Sequence, residues 1–127
     1  MAAGLRVSAV EVDPLAIAAL AQAAAEQALT PDRAVSADVA AVSQELHALG
    51  NQYDLVVANP PRAGLGASAA HCALLARREF LLCCCKAESF ARDSVALLQA
   101  GFRLIELYAF DMFPGTQHVE VMGRFSR

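Results

Sequence analysis

The stretch YDLVVANPPRAGLG, residues 53–66, decides how the rest of the chain is read. A run of apolar and β-branched residues ends abruptly at Asn59-Pro60-Pro61-Arg62. The run predicts a strand, and the two prolines fix φ and hold the following turn rigid. Outward from this point, short strand and helix patterns alternate. LRVSAVEVD (5–13) and RAVSAD (33–38) read as strands that end in acids. Asp13-Pro14 opens a helix that runs through about Ala28, with TPDR closing it. VAAVSQELHAL is a helix that Gly50-Asn51 ends. SAAHCALLARR is predicted as a helix, EFLLCCC as a strand, and ESFARDSVALLQAG as a helix. FRLIELYAFDMF and HVEVMGRFS follow each other with no helix between, so they can pair antiparallel. The alternation predicts an α/β sandwich with a mainly parallel sheet.

With 127 residues the chain suits one domain, covering 1–127. It is 57% hydrophobic and 18% charged, which argues against disorder. The net charge of −3 argues against a free-standing nucleic-acid binder, but not against a catalytic domain whose grip on RNA lies elsewhere. No run approaches a membrane span, and CALLARREFLLCCC is broken by Arg77, Arg78 and Glu79. The N-terminus lacks the pattern of a signal peptide, so a cytoplasmic location with free thiols is the default expectation.

In sheets of this kind ligands sit beyond the carboxyl ends of the strands. Those ends carry Glu11, Asp38, Asn59 with Arg62, and Cys84-Cys85. Glu11 can accept bonds from ribose hydroxyls, and Asp38 can receive an adenine amino group. Each can equally be a solvated loop acid. Asn59 stands where a rigid turn can present it to a flat base, and Arg62 suits phosphate or carboxylate. Three adjacent cysteines in a strand point to alternate faces and chelate a metal poorly, so no metal site is expected. Cys72, Cys83 and Cys84 read as small hydrophobes. Cys85 ends the strand with Lys86 after it, a position that helps a thiolate. DMFPGTQHVEV (111–121) sets Asp111, His118 and Glu120 around a Phe-Pro-Gly turn. Glu120 reads either as a base held among apolar neighbours or as a surface glutamate on an edge strand.

Taken together, ANPPRAGLG (58–66), CCKAESFARD (84–93) and the closing stretch 96–127 resemble the S-adenosylmethionine-dependent RNA uracil-5-methyltransferases, in the C-terminal part of their catalytic domain. The first is similar to that family's Asp-Pro-Pro-Arg-x-Gly-Leu turn. The second is similar to its Ser-Cys-Asn-Pro-x-Thr-Leu-Ala-Arg-Asp segment. The third matches its Asp-Met-Phe-Pro-x-Thr-x-His-x-Glu run. The resemblance implies a Rossmann-like class I methyltransferase sandwich and transfer of a methyl group to carbon 5 of a uridine in tRNA or rRNA. It implies S-adenosyl-L-methionine as cofactor, with Cys85 as nucleophile and Glu120 as base. Glu11, Asp38 and Asn59 would lie at the cofactor, and Arg62 and His118 at the substrate. Three departures stand out. Asn59 replaces an acid, Lys86-Ala87 replaces Asn-Pro, and nothing in the chain resembles the family's first strand and glycine-rich turn. An N-terminally truncated domain that binds the cofactor weakly, or self-associates, is the resulting expectation. Two other readings stay open: an amino-methyltransferase built on the Asn-Pro-Pro turn, and a non-catalytic assembly module.

Overall fold

The structure, a computed structural model, describes residues 6–116 and 118–127. Leu5, where the first predicted strand begins, lies outside them. The chain forms two compact units, residues 1–42 and 43–127.

In the first unit, β1 (Ser8–Glu11) and β2 (Arg33–Ser36) pair in parallel, with Glu11 opposite Ser36. The helix α1 (Pro14–Glu26) joins them. Asp13 caps it by accepting from the Leu15 amide at 2.9 Å, and Pro14 supplies the fixed φ of the first turn. The helix ends two residues before Ala28. Ala28 takes a left-handed φ of 53°, so that the Leu29 amide returns to the Ala24 carbonyl at 2.9 Å. This is a glycine's position filled by alanine.

The helix α2 (Val39–Ala48) starts at Asp38. Its C-terminus is closed as the sequence indicates, the Asn51 amide bonding Leu46 O at 2.9 Å. The second unit then holds a four-stranded sheet in the order β3-β4-β6-β5. Its strands are β3 (Tyr53–Ala58), β4 (Ala76–Cys84), β5 (Arg103–Phe110) and β6 (Glu120–Ser126). β3 and β4 are parallel, and β6 runs antiparallel to both of its neighbours, β4 and β5. Three strands therefore share one direction and the last opposes them, as predicted. A short helix α3 (Ala69–Leu75) and the longer α4 (Ala87–Gln99) make the crossovers.

Two boundaries differ from expectation. The helix predicted through Arg78 stops at Leu75, and β4 begins at Ala76. Arg77 and Arg78 join the strand instead: they lie at the irregularity between the Tyr53–Ala76 and Leu55–Glu79 pairs of β3 and β4, and the Arg127 amide bonds Arg78 O at 3.1 Å. The second difference concerns Glu120, which is not on an edge strand. β6 lies between β4 and β5.

The core sits on one face of this sheet. Phe80, Leu82 and Cys84 of β4 and Val121 and Phe125 of β6 are buried there. The alternation follows from the two-residue period of a strand. α4 covers this face with Phe90, Asp93 and Leu97, a helical stripe. Phe90 lies 6.1 Å from Phe125, ring centre to ring centre, and Phe80 meets Phe102 edge-on at 6.5 Å. Gly123 is glycine because a Cβ there would come within 2.6 Å of the Phe90 ring. On the opposite face Arg124 bridges Glu106 at 2.9 Å and Glu79 at 3.2 Å, tying three strands together. No helix among the described residues is long and apolar enough to cross a membrane.

Candidate active site

The candidate site residues Arg62, Cys85, His118 and Glu120 lie toward the carboxyl ends of the parallel strands of the second unit, where an open sheet offers a crevice. Four segments meet there. The turn after β3 brings Arg62. The end of β4 brings Cys85. The β5–β6 connection brings Phe113, Thr116 and His118, and the first residue of β6 is Glu120. These six line one cavity of about 340 Å³. That is room for a small planar ligand.

The β4–β6 ladder sets the inner geometry. Cys83 pairs with Met122 and Cys84 with Val121. Cys85 follows the last paired residue of β4 and Glu120 precedes Val121 in β6, so the register brings both to the same end of this ladder, where both line the cavity. Both are half-buried. The other thiols divide differently. Cys84 faces the core and is 1% exposed. Burial, and then the nearby acidic groups Asp93, Cys85, Cys83 and Glu120, push its thiol from 9.0 up to about 11. Cys72 is also buried, and its thiol is raised by burial first. Both therefore act as small hydrophobes. Cys83 is only half-buried, which corrects the expectation of a core residue, although burial raises its thiol too. Its side chain points to the face that α4 leaves open.

Arg62 and His118 touch. The guanidinium Nη2 lies 2.9 Å from His118 Nδ1 and 3.2 Å from Nε2. Guanidinium only donates, so the imidazole accepts through the nitrogen that carries no hydrogen. Arg62 is the second residue of a tight turn in which the Gly64 amide bonds Pro61 O at 2.7 Å. The turn is held from α4, where Ser89 Oγ donates to Arg62 O at 2.7 Å.

Phe113 and Thr116 were not singled out from sequence. The turn they occupy is organised by the Thr116 hydroxyl. It donates to Phe113 O at 2.8 Å and accepts from the His118 amide at 3.2 Å. Phe113 itself is 62% exposed, an aromatic ring presented to the cavity instead of the core. The signal was available: Phe-Pro-Gly-Thr is a turn sequence, and a large apolar residue in a turn has no core to enter.

Asn59 is exposed and stands outside that lining. Glu11 and Asp38 belong to the first unit. The β1–β2 register brings both to the carboxyl end of their own sheet, and both are exposed. Each has a local role: Glu11 Oε1 accepts from the Asp13 amide at 3.1 Å, and Asp38 Oδ2 from the Ala41 amide at 3.3 Å, capping α2. A carboxylate has more acceptor sites than one such bond uses.

Comparison with known proteins follows the same lines. No protein-family model matches the chain. It is 35% identical over 119 residues to the 23S rRNA (uracil(747)-C(5))-methyltransferase RlmC of Shigella boydii, across 93% of this chain and 30% of that protein. It is 41% identical over 73 residues to the 23S rRNA (uracil(1939)-C(5))-methyltransferase RlmD of Edwardsiella ictaluri, across 58% of this chain and 17% of that one. Among solved structures it is similar to the tRNA (uracil-54, C5)-methyltransferase of Pyrococcus abyssi in complex with S-adenosyl-L-homocysteine. There the TM-score is 0.77 at 28% identity, over 96% of this chain and 29% of that one. The chain thus spans less than a third of the length of each. In sequence and in fold, the chain belongs to the RNA uracil-5-methyltransferase family, of whose members it spans a part.

Proposed function

We propose that the chain carries the reacting groups for methylation of carbon 5 of a uridine in RNA. The observation that supports this reading best is the placing of Cys85 and Glu120 at the same end of the β4–β6 ladder, in one cavity with Arg62 and His118. Carbon 5 of uracil is a weak nucleophile. A thiolate from Cys85 adds at carbon 6, forming a carbon–sulfur bond and moving an electron pair onto the carbon 4 oxygen as an enolate. That makes carbon 5 nucleophilic. S-Adenosyl-L-methionine, when bound, supplies an electrophilic methyl group. Glu120 then takes the proton from carbon 5, and the electron pair returns to form the carbon 5–carbon 6 double bond. The carbon–sulfur bond breaks and Cys85 is regenerated. One thiol to add at carbon 6 and one carboxylate to take the carbon 5 proton suffice for both ends of this cycle.

The other residues take supporting parts. Arg62 reaches a phosphate or an enolate oxygen, since guanidinium suits both. Phe113 offers a stacking face to the base. Glu11 and Asp38 have the acceptor chemistry for the ribose hydroxyls and adenine amine of the cofactor. That Asn59 stands outside the cavity lining favours the uracil reading over an amino-methyltransferase built on Asn59-Pro60-Pro61.

RNA containing 5-fluorouridine tests the proposal. Fluorine at carbon 5 leaves no proton for Glu120 to remove, so the adduct stalls. With S-adenosyl-L-methionine present, a covalent protein–RNA species that survives denaturing electrophoresis and disappears in Cys85→Ala is the expected result. A folded chain that forms none, or forms it equally in Cys85→Ala, overturns the reading.

A further inference from the structure

Helix α4 makes a set of bonds that the chemistry above does not use. From three positions on one helical face it grips a single loop. Ser89 Oγ donates to Arg62 O at 2.7 Å. The Arg92 guanidinium donates to Ala63 O. Asp93 accepts from two successive amides, Leu65 N at 2.6 Å and Gly66 N at 3.1 Å. Residues 89, 92 and 93 are three and four apart, the spacing that puts side chains on one face of a helix.

The grip is tight in a specific way. The Asp93 side chain is 1% exposed, and its nearest cation is Arg92 Nε at 3.5 Å. A buried carboxylate stripped of its donors is costly, so the Leu65 and Gly66 amides cannot move away without leaving that charge uncompensated. Gly64 lets the loop come this close. A Cβ there would collide with Asp93 Oδ2 and lie 2.7 Å from Arg92 Nη2. α4 begins at Ala87, two residues after Cys85 and two before Ser89. One rigid helix therefore follows the thiol directly and holds the backbone of Arg62.

We propose that Ser89, Arg92 and Asp93 are positioning residues that make α4 the spacer between Cys85 and Arg62, fixing where the guanidinium stands in the cavity. The proposal rests on the reading of that cavity as the uridine site. It assigns these residues an effect on how RNA is held, transmitted through Arg62, with no part for them in the thiol chemistry. A misplacement on the order of 1 Å at such a group is worth up to about a hundredfold.

Two measurements on the full chain test it. The first needs no RNA. Ser89→Ala removes one hydroxyl and keeps a helix-favouring residue. Asp93→Asn keeps the shape and removes the charge. In both, amide exchange at Leu65 and Gly66 should quicken by about tenfold or more, and the His118 ring resonances should move toward those of Arg62→Ala. His118 resonances that stay at their wild-type positions in Ser89→Ala and Asp93→Asn would overturn the proposal. So would a His118 spectrum that Arg62→Ala itself leaves unchanged, because the Arg62–His118 contact would then be absent. The second measurement is the concentration of 5-fluorouridine RNA that gives half-maximal adduct. Ser89→Ala and Arg62→Ala should each raise it about tenfold, and the double variant should be no worse than Arg62→Ala. Losses that add in the double variant would overturn transmission through Arg62. A wild-type chain that captures no RNA counts against the uridine reading alone, and the exchange and His118 measurements then decide the clamp.

Discussion

Cys85 and Glu120 stand just beyond the last pair of the β4–β6 ladder, Cys84 with Val121, and line one cavity. Strand alternation then separates two adjacent thiols. Cys84 turns into the core beneath α4, and Cys85 turns to the cavity with the carboxylate. Two roles follow for the pair, and they are separable. Cys85→Ala removes the bond-forming atom and should abolish adduct formation. Glu120→Gln keeps the shape and loses the base, so addition and methyl transfer proceed while release slows by about 10²–10⁴-fold. With ordinary uridine RNA and S-adenosyl-L-methionine, the Gln variant should accumulate a covalent complex that wild type does not. Equal accumulation in both would remove Glu120 from the role of base.

Much of this was legible in the sequence because it rests on local rules. The apolar run before Asn59-Pro60-Pro61, the Asp13-Pro14 cap and the Gly50-Asn51 stop each carry a short-range signal, and each marks a real boundary. The residues of the cavity were readable too, through the motifs around Arg62, Cys85, His118 and Glu120. What was hidden depended on pairing. Arg77 and Arg78 look helical alone, and only the pairing of β3 with Ala76 and Glu79 on either side of them, with the Arg127 amide on Arg78 O, draws them into β4. The placing of β6 between β4 and β5, which takes Glu120 off an edge, is likewise a fact of strand order. The grip of Asp93 on Leu65 and Gly66 spans 28 and 27 residues, beyond any local pattern.

Phe113 should contribute to binding and not to bond making. Its ring lines the cavity from a turn that Thr116 holds by two hydrogen bonds. Stacking of an aromatic ring on a base is worth about 1–3 kcal/mol. Phe113→Ala should therefore weaken RNA capture by roughly 5- to 150-fold at limiting RNA, with the rate at saturation nearly kept. Thr116→Val should give a smaller loss of the same kind, since it loosens the turn while leaving the ring. Measuring adduct formation across RNA concentrations separates the two effects. A fall confined to the saturated rate would contradict a stacking role.

The buried thiol of Cys84 makes stability depend on pH at the alkaline end. Its folded value of about 11 lies above the ordinary 9.0, mainly through burial and then through the acids around it. A raised folded value means the folded state favours the protonated thiol. The contribution is whole below pH 9 and is lost as pH rises toward 11. Wild type should lose stability to denaturant across that window more steeply than Cys84→Ala, which starts lower because it leaves a small void. Iodoacetamide at pH 8 should modify Cys85 well before Cys84, read by peptide mass. Parallel slopes in the two proteins, or faster labelling of Cys84, would go against this account.

Gly123 is a sharper test of how α4 is seated. A Cβ on it would meet the Phe90 ring at 2.6 Å and the Phe125 ring at 2.9 Å. Neither ring can retreat freely, because Phe125 is fully buried and Phe90 lies between the helix and the sheet. Gly123→Ala should destabilise the fold by about 1–3 kcal/mol, as overpacking of a filled core does. The same methyl group would lift the second turn of α4, which carries Ser89, Arg92 and Asp93 or lies next to them. Loop exchange at Leu65 and Gly66 should then quicken even where the protein remains folded. Pairing the substitution with Phe90→Leu, which shortens the obstructing ring, should recover part of both losses. A Gly123→Ala protein as stable as wild type would mean that α4 rides higher over β6 than these distances describe.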